Sequence, residues 1–156
     1  MEPRNDREKR RTATLDKLAG TLEQAGFPHG IARVYAALTL AEGEGMATSE
    51  LIEELGISKA SVSNAMQFLV GTRLAERYRV RGSREAHYRI IEGVWGEILA
   101  KKFAAISHTR RLAEEAIEEI DSPHARRRLE DLHEAYAFFE KEFADAVQRW
   151  TERKSR

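Results

Sequence analysis

The sequence predicts a mainly α chain carrying one small β-hairpin, and three observations predict it. All ten glycines lie at or before Gly96, and the sixty residues that follow contain a single breaker, Pro123. Ahead of Leu74, apolar residues recur three and four apart in four short segments, the period of amphipathic helices. Between Leu74 and Ile90 the period drops to two, the mark of paired strands.

Each element follows from its residues. Leu15, Leu18, Leu22 and Ala25 mark a first helix stopped by Gly26. Ile31, Val34, Tyr35, Leu38 and Ala41 mark a second, opening after Pro28 and closing at Glu42-Gly43-Glu44-Gly45. Thr48 caps a short third helix bearing Leu51, Ile52 and Leu55, with Glu50 in the first turn, where the helix dipole favours an acid. Gly56 ends it. Ser58 caps a fourth helix whose Val62, Ala65, Met66 and Leu69 face inward and which Gly71 stops. Leu74, Glu76, Tyr78 and Val80 then alternate with Ala75, Arg77, Arg79 and Arg81. After Gly82-Ser83, Ala86, Tyr88 and Ile90 share one face, with His87 and Arg89 on the other. Beyond Gly96 two long helices meet near Asp121-Ser122-Pro123, with Ser122 as cap and Pro123 at the first helical position.

Helix, helix, short helix, glycine turn, helix, hairpin is the order of a winged helix-turn-helix. Two short helices crossing steeply need the tight turn that Gly56 supplies, and Ile57 and Val62 plug their junction. The outward face of the fourth helix holds Ser58, Lys59, Ala60, Ser61, Ser63, Asn64 and Gln67. Short polar side chains there can approach base edges, and the amides suit adenine. Ser58, Ser61 and the free amides of the helix N-terminus suit phosphate oxygens. A capped amphipathic helix with no ligand is the plainer reading. However, Ser and Asn are poor helix formers, and the other exposed helix faces of this chain use Glu, Lys and Arg.

Net charge is zero, with 26 basic and 26 acidic residues, which by itself argues against a nucleic-acid partner. The charges are segregated. Residues 1–57 carry −3, residues 58–91 carry +5 and residues 92–156 carry −2. In the hairpin, Arg77, Arg79 and Arg81 share a strand face, and Ser83 and Arg84 stand at the tip. Stacked like charges are destabilising without a polyanion, and a guanidinium at a glycine tip can enter a minor groove. A solvated strand face would mix signs, whereas here only Glu76 and Glu85 do so. These residues make double-stranded DNA the expected partner.

The run Ala25-Gly26-Phe27-Pro28-His29-Gly30-Ile31-Ala32-Arg33-Val34-Tyr35-Ala36-Ala37-Leu38, the segment Leu51-x-x-x-Leu55-Gly56-Ile57-Ser58-Lys59-Ala60-Ser61-Val62-Ser63, and Gly82-Ser83-Arg84 with Tyr88 together resemble the GbsR branch of MarR-type bacterial transcriptional regulators. The match is best over residues 25–91. It implies a homodimeric repressor, occasionally an activator, dimerised by terminal helices and often tuned by a small ligand. The tip Arg81-Gly82-Ser83-Arg84-Glu85 lacks the Asp common in MarR wings, so the implied wing contact carries over to Arg84, and less securely to Arg81.

The last helix has an apolar seam, Leu129, Leu132, Tyr136, Phe139, Phe143, Ala146 and Trp150, at alternating spacings of three and four. A heptad pattern calls for a partner helix. Leu99, Phe103, Ile106, Ala113, Ile117 and Ile120 of the preceding helix answer it, with Arg110 interrupting. Such a hairpin leaves Phe138 and Val147 outside. Leu15, Leu18, Leu22, Leu132, Tyr136, Phe139, Phe143 and Trp150 are therefore expected in a homodimer interface. Two-fold symmetry then places recognition helices on half-sites ~34 Å apart, a pseudo-palindromic operator. Trp95, Phe103 and Tyr136 are candidates to line an effector pocket. Aromatic walls hold quaternary ammonium groups, and the GbsR resemblance implies a choline-like effector. Core packing is the commoner fate of such a stripe.

The expected organisation is a flexible charged arm over 1–12, a winged helix-turn-helix over 13–91, and a helical dimerisation and effector region over 92–156. Cysteine is absent, which excludes disulfides, thiolate metal sites and cysteine nucleophiles. The five histidines (His29, His87, His108, His124 and His133) show no His-x-x-x-His spacing, and no phosphate loop or nucleophile elbow appears, so neither an enzyme nor a cofactor or metal is expected. His124 and His133 lie on different helix faces, and Arg126-Arg127-Arg128 is followed by acids as in a solvated face. No apolar run is long enough for a membrane, and the polar N-terminus does not suit a secretory signal, so a cytoplasmic protein is expected. A winged-helix protein-interaction module remains the alternative, disfavoured by the arginine comb beside an acid-free helix face.

Overall fold

The computed structural model describes residues 4–154. The chain forms two compact units that divide between Glu92 and Gly93. The elements are α1 (Arg4–Gln24), α2 (His29–Thr39), β1 (Met46–Ala47), α3 (Thr48–Leu55), α4 (Lys59–Gly71), β2 (Ala75–Tyr78), β3 (His87–Ile90), α5 (Trp95–Glu119) and α6 (Pro123–Lys154). The fold is mostly helical with a small antiparallel sheet, as the sequence predicts.

In the first unit α2 is central, touching α1, α3, α4 and β3, and its Ala32 and Val34–Leu38 are all buried. Leu51, Val62, Met66 and Leu69 complete the interior. Gly26 ends α1 at φ +95°, a left-handed turn that lets the Phe27 amide return to the Leu22 carbonyl at 3.0 Å. Gly56, at φ +63°, turns α3 into α4 in the same way.

The flexible arm gives way to helix. Residues 4–12 form the first turns of α1, rich in Arg, Glu and Lys, and are tied down where Arg11 pairs with Glu54 of α3. Met1–Pro3 of that arm lie outside the described residues. Thr48 does not cap α3. The N-cap is Ala47, whose amide donates to Glu50 at 2.6 Å, while the Thr48 hydroxyl donates to the Ala86 carbonyl at 3.1 Å. Helix α4 runs through Gly71, and the left-handed residue behind it is Arg73, at φ +60°, with the Leu74 amide bonding back to Leu69 O at 2.9 Å.

The sheet has a strand the alternation does not reveal. β1 pairs with β3, and β3 with β2, giving the order β1-β3-β2. Met46 lies opposite Tyr88, and Glu76 and Arg77 lie opposite Arg89 and Tyr88. Gly45 leads into β1 so close to β3 that a Cβ there would collide with the Tyr88 carbonyl oxygen.

The second unit is an antiparallel helical pair. The Phe103 and Phe143 rings stack with centroids 3.8 Å apart. Arg110 donates to Glu140 at 2.5 Å and to Glu114 at 2.9 Å. The Glu140 bond above all holds the Arg110 pKa above its ordinary value, while hydrogen bonds from Ser107 and then Arg110 hold Glu140 below the usual carboxylate range. At the turn, the Ser122 hydroxyl accepts from the Ala125 amide at 3.4 Å, and Arg126 donates to the Ile120 carbonyl at 2.8 Å, closing the end of α5.

Candidate nucleic-acid interface

Ser58 opens α4 because its hydroxyl accepts the Ser61 amide at 3.1 Å, and the two hydroxyls also lie 2.9 Å apart. With that start fixed, the 3.6-residue period divides the helix. Val62, Ala65, Met66 and Leu69 are buried, while Ser58, Lys59, Ala60, Ser61, Ser63, Asn64 and Gln67 are exposed on a face without an acid.

The wing differs from the expected comb. β2 ends at Tyr78, so Arg77 alone of the three arginines lies in the strand, and Arg79 and Arg81 belong to the connection. The pairing is four residues long because the chain turns early. Gly82, at φ +86°, allows the Ser83 amide to donate to the Val80 carbonyl at 3.1 Å. Ser83 is directed into the wing itself. Its hydroxyl lies 2.9 Å from His87 Nε2 and accepts the Glu85 amide at 3.3 Å. Arg84 is exposed beside it.

A groove of about 470 Å³ between α3, α4 and the wing brings Lys59 and Ser63 of α4 together with Arg77 and Arg84 of the wing. Among the described residues, Lys59, Arg77, Arg79, Arg81 and Arg84 take part in no ion pair. Arg89 is different. It donates to Glu76 at 2.7 Å, pairs with Glu44, and sits 5.1 Å from the centre of the Tyr78 ring. The two acids of the basic segment are thus engaged internally, Glu76 by Arg89 and Glu85 by Ser49 of α3. Sequence reasoning missed the Glu85 and Arg89 attachments, since their partners lie 36 and 45 residues away for Ser49 and Glu44.

The other candidate residues divide. Leu15 and Leu22 are buried in the first unit and Leu18 is half-buried there, where α1 packs on α2. Burial against α2 takes Leu15 and Leu22 out of the expected dimer face. On α6, Leu132, Phe139 and Trp150 are exposed and Tyr136 and Phe143 half-buried. The candidate effector residues are distributed over the helical pair. Phe103 borders a hollow of about 410 Å³ and Tyr136 another of about 360 Å³, and Trp95 lines neither. His133 is half-buried, and its Nε2 has no hydrogen-bond partner among the described residues. Among the described residues no three His, Asp or Glu side chains meet as metal ligands.

Residues 93–153 match the model of an MmpR5-like MarR family of transcriptional regulators. Over 141 residues the chain is 23% identical to the HTH-type transcriptional regulator MmpR5 of Mycobacterium tuberculosis (strain ATCC 25618 / H37Rv), covering 89% of this chain and 86% of that protein. A crystal structure of a transcriptional regulator superposes with a TM-score of 0.67 at 20% identity, over 91% of this chain and 98% of the other, a likeness of fold. The second unit thus resembles an MmpR5-like MarR family, and the chain shares the fold of a solved transcriptional regulator. A more distant structure, the S. aureus MepR–DNA complex, has a TM-score of 0.43 at 14% identity over 88% of this chain and 98% of that one, too remote to bear on fold or function.

The family match falls on α5 and α6, while the candidate interface is built by α3, α4 and the wing. No helix of the described residues is long and apolar enough to cross a membrane. The family model matched describes transcriptional regulators.

Proposed function

We propose that the chain is a sequence-specific DNA-binding transcriptional regulator, a repressor that acts as a homodimer on a pseudo-palindromic operator. The observation that carries this reading is the set of five cations without counter-ions, Lys59, Arg77, Arg79, Arg81 and Arg84, beside an exposed acid-free face on α4. Uncompensated charge of one sign is costly unless a polyanion is bound, and duplex DNA is the polyanion whose major groove admits a helix. In this reading Ser58 and Ser61 meet phosphate, Asn64 and Gln67 read base edges, and Arg84 enters the minor groove.

The helical pair supports the dimer. Only Ala113 is buried in α5, while Phe138, Phe139 and Trp150 of α6 are 61, 49 and 43% exposed. Apolar area of that extent is covered by another surface in a stable protein, and a second copy offers the same seam. MmpR5 is named a transcriptional regulator, in agreement with this reading. The GbsR-like branch, suggested over residues 25–91, is kept as the finer assignment of the winged unit, and a small ligand bound along α5 and α6 as its effector.

Mobility-shift titration against the chain's own upstream region at several salt concentrations tests the proposal. Tight binding to one region, with log K falling as log salt rises by ~0.9 per phosphate contact, is expected. Equal affinity for random duplexes would refute sequence-specific reading.

A further inference from the structure

We infer that Glu85 is a positioning residue, resting on the DNA-binding reading above: it clasps the wing to the first turn of α3 and so sets where Arg84 stands relative to α4. Both carboxylate oxygens are used. Ser49 donates its amide to Glu85 Oε2 at 3.1 Å and its hydroxyl to Oε1 at 3.0 Å. Next to it the Ala86 carbonyl accepts both the Thr48 amide, at 3.0 Å, and the Thr48 hydroxyl, at 3.1 Å. Two consecutive wing residues therefore take four hydrogen bonds from two consecutive residues of α3.

This attachment has a physical purpose. The tip between Tyr78 and His87 has no ladder hydrogen bonds of its own. A tip carrying Arg79, Arg81 and Arg84 would otherwise spread by mutual repulsion and lose entropy when ordered on DNA. Glu85 sits directly beside Arg84, on the chain that returns to β3. Its charge is placed at the start of α3, where the helix dipole favours an anion and two α3 donors are satisfied. An acid beside a DNA-contacting arginine is a liability in electrostatics alone, and its geometric role accounts for its presence.

The two roles predict opposite signs. If Glu85 acts only by its charge, Glu85→Gln and Glu85→Ala both bind the operator more tightly than wild type. If it clasps the wing, affinity falls in the order wild type, Glu85→Gln, Glu85→Ala, because Gln keeps one acceptor. The full loss is on the order of tenfold. Ser49→Ala, which leaves the net charge unchanged, should weaken binding too, and Ser49→Ala/Glu85→Ala should be no weaker than Glu85→Ala. Glu53→Gln, an exposed acid on α3 outside the clasp, controls for charge and should not weaken binding. Amide exchange on the full chain gives a readout without DNA. Exchange at Ser49 should accelerate in Glu85→Ala, while the Thr48 amide stays protected by Ala86. Wild-type binding with unchanged or tighter binding by Glu85→Ala would overturn the positioning role alone. Absence of any duplex binding by the wild type would overturn the regulator reading and the role together, leaving the exchange result to report on the clasp.

Discussion

Phe103 of α5 and Phe143 of α6 lie face to face, with 4° between their ring planes and 3.8 Å between centroids. Phe139 follows at 5.9 Å from Phe143, so three rings run along one side of the pair. With so little else buried in this unit, these contacts hold α5 against α6. Phe143→Ala should lower stability by about 2 kcal/mol, below the full cost of a core phenylalanine because the ring is half-buried. Chemical denaturation followed by circular dichroism measures the change.

Phe138 gives the complementary test. It is the most exposed large apolar residue of α6, so Phe138→Asp should leave an isolated chain's stability within about 0.5 kcal/mol. If α6 is the homodimer face, the same change should convert dimer to monomer in sedimentation velocity. A dimer that persists would move the interface elsewhere.

The Glu140 carboxyl, held low by Ser107 and Arg110, links the helical pair to pH. A depressed pKa contributes stability above the carboxyl's unfolded value, and that contribution is lost as pH falls through the folded one. Acid should therefore weaken the α5–α6 pair, and Glu140→Gln should melt earlier near neutrality yet show a flatter acid limb. Thermal melts of both proteins from neutral to strongly acid pH decide it.

Roles within the candidate interface separate by specificity. Asn64→Ala and Gln67→Ala should change the ranking of operator variants. Arg79→Ala should weaken all sites alike and reduce the salt slope by about one. Competition mobility shifts with a panel of single-base operator variants would show the contrast. An unchanged ranking in Asn64→Ala and Gln67→Ala would remove them from base reading.

Arg73 occupies a left-handed conformation that costs a residue with a Cβ roughly 1 kcal/mol. Arg73→Gly should raise stability by about 0.5 kcal/mol after the added freedom of the unfolded chain is counted. Its urea midpoint checks this.

What could be read from the sequence was what local chemistry decides. Helix α4 shows its cap at Ser58, its inward Val62, Ala65, Met66 and Leu69, and its exposed polar face within residues 58–69. Gly26 and Gly56 mark turns because left-handed backbone selects glycine. β1 was illegible: two residues, Met46 and Ala47, are too few to show alternation and form a strand only because Tyr88 and His87 lie alongside. Leu15 and Leu22 carry the same apolar signal whether they meet α2 or a second chain, and their burial against α2 is a tertiary fact. The candidate interface divides likewise. Its cations are visible as composition, whereas the Glu85–Ser49 attachment and the pairing of Arg89 with Glu76 and Glu44 depend on approach across the fold.

Gly45 imposes a constraint of a different kind. Any side chain there meets the Tyr88 carbonyl and the Arg89 Cβ, so the smallest change, to Ala, already forces β1 away from β3. Every missense change in a glycine codon adds a side chain, and none is milder than Ala. Position 45 is therefore a place where a single nucleotide change would part β1 from β3 while leaving α4 and its exposed face untouched. Among inactivating alleles it should recur far more often than the neighbouring Gly43, whose added Cβ meets nothing nearer than 4.0 Å.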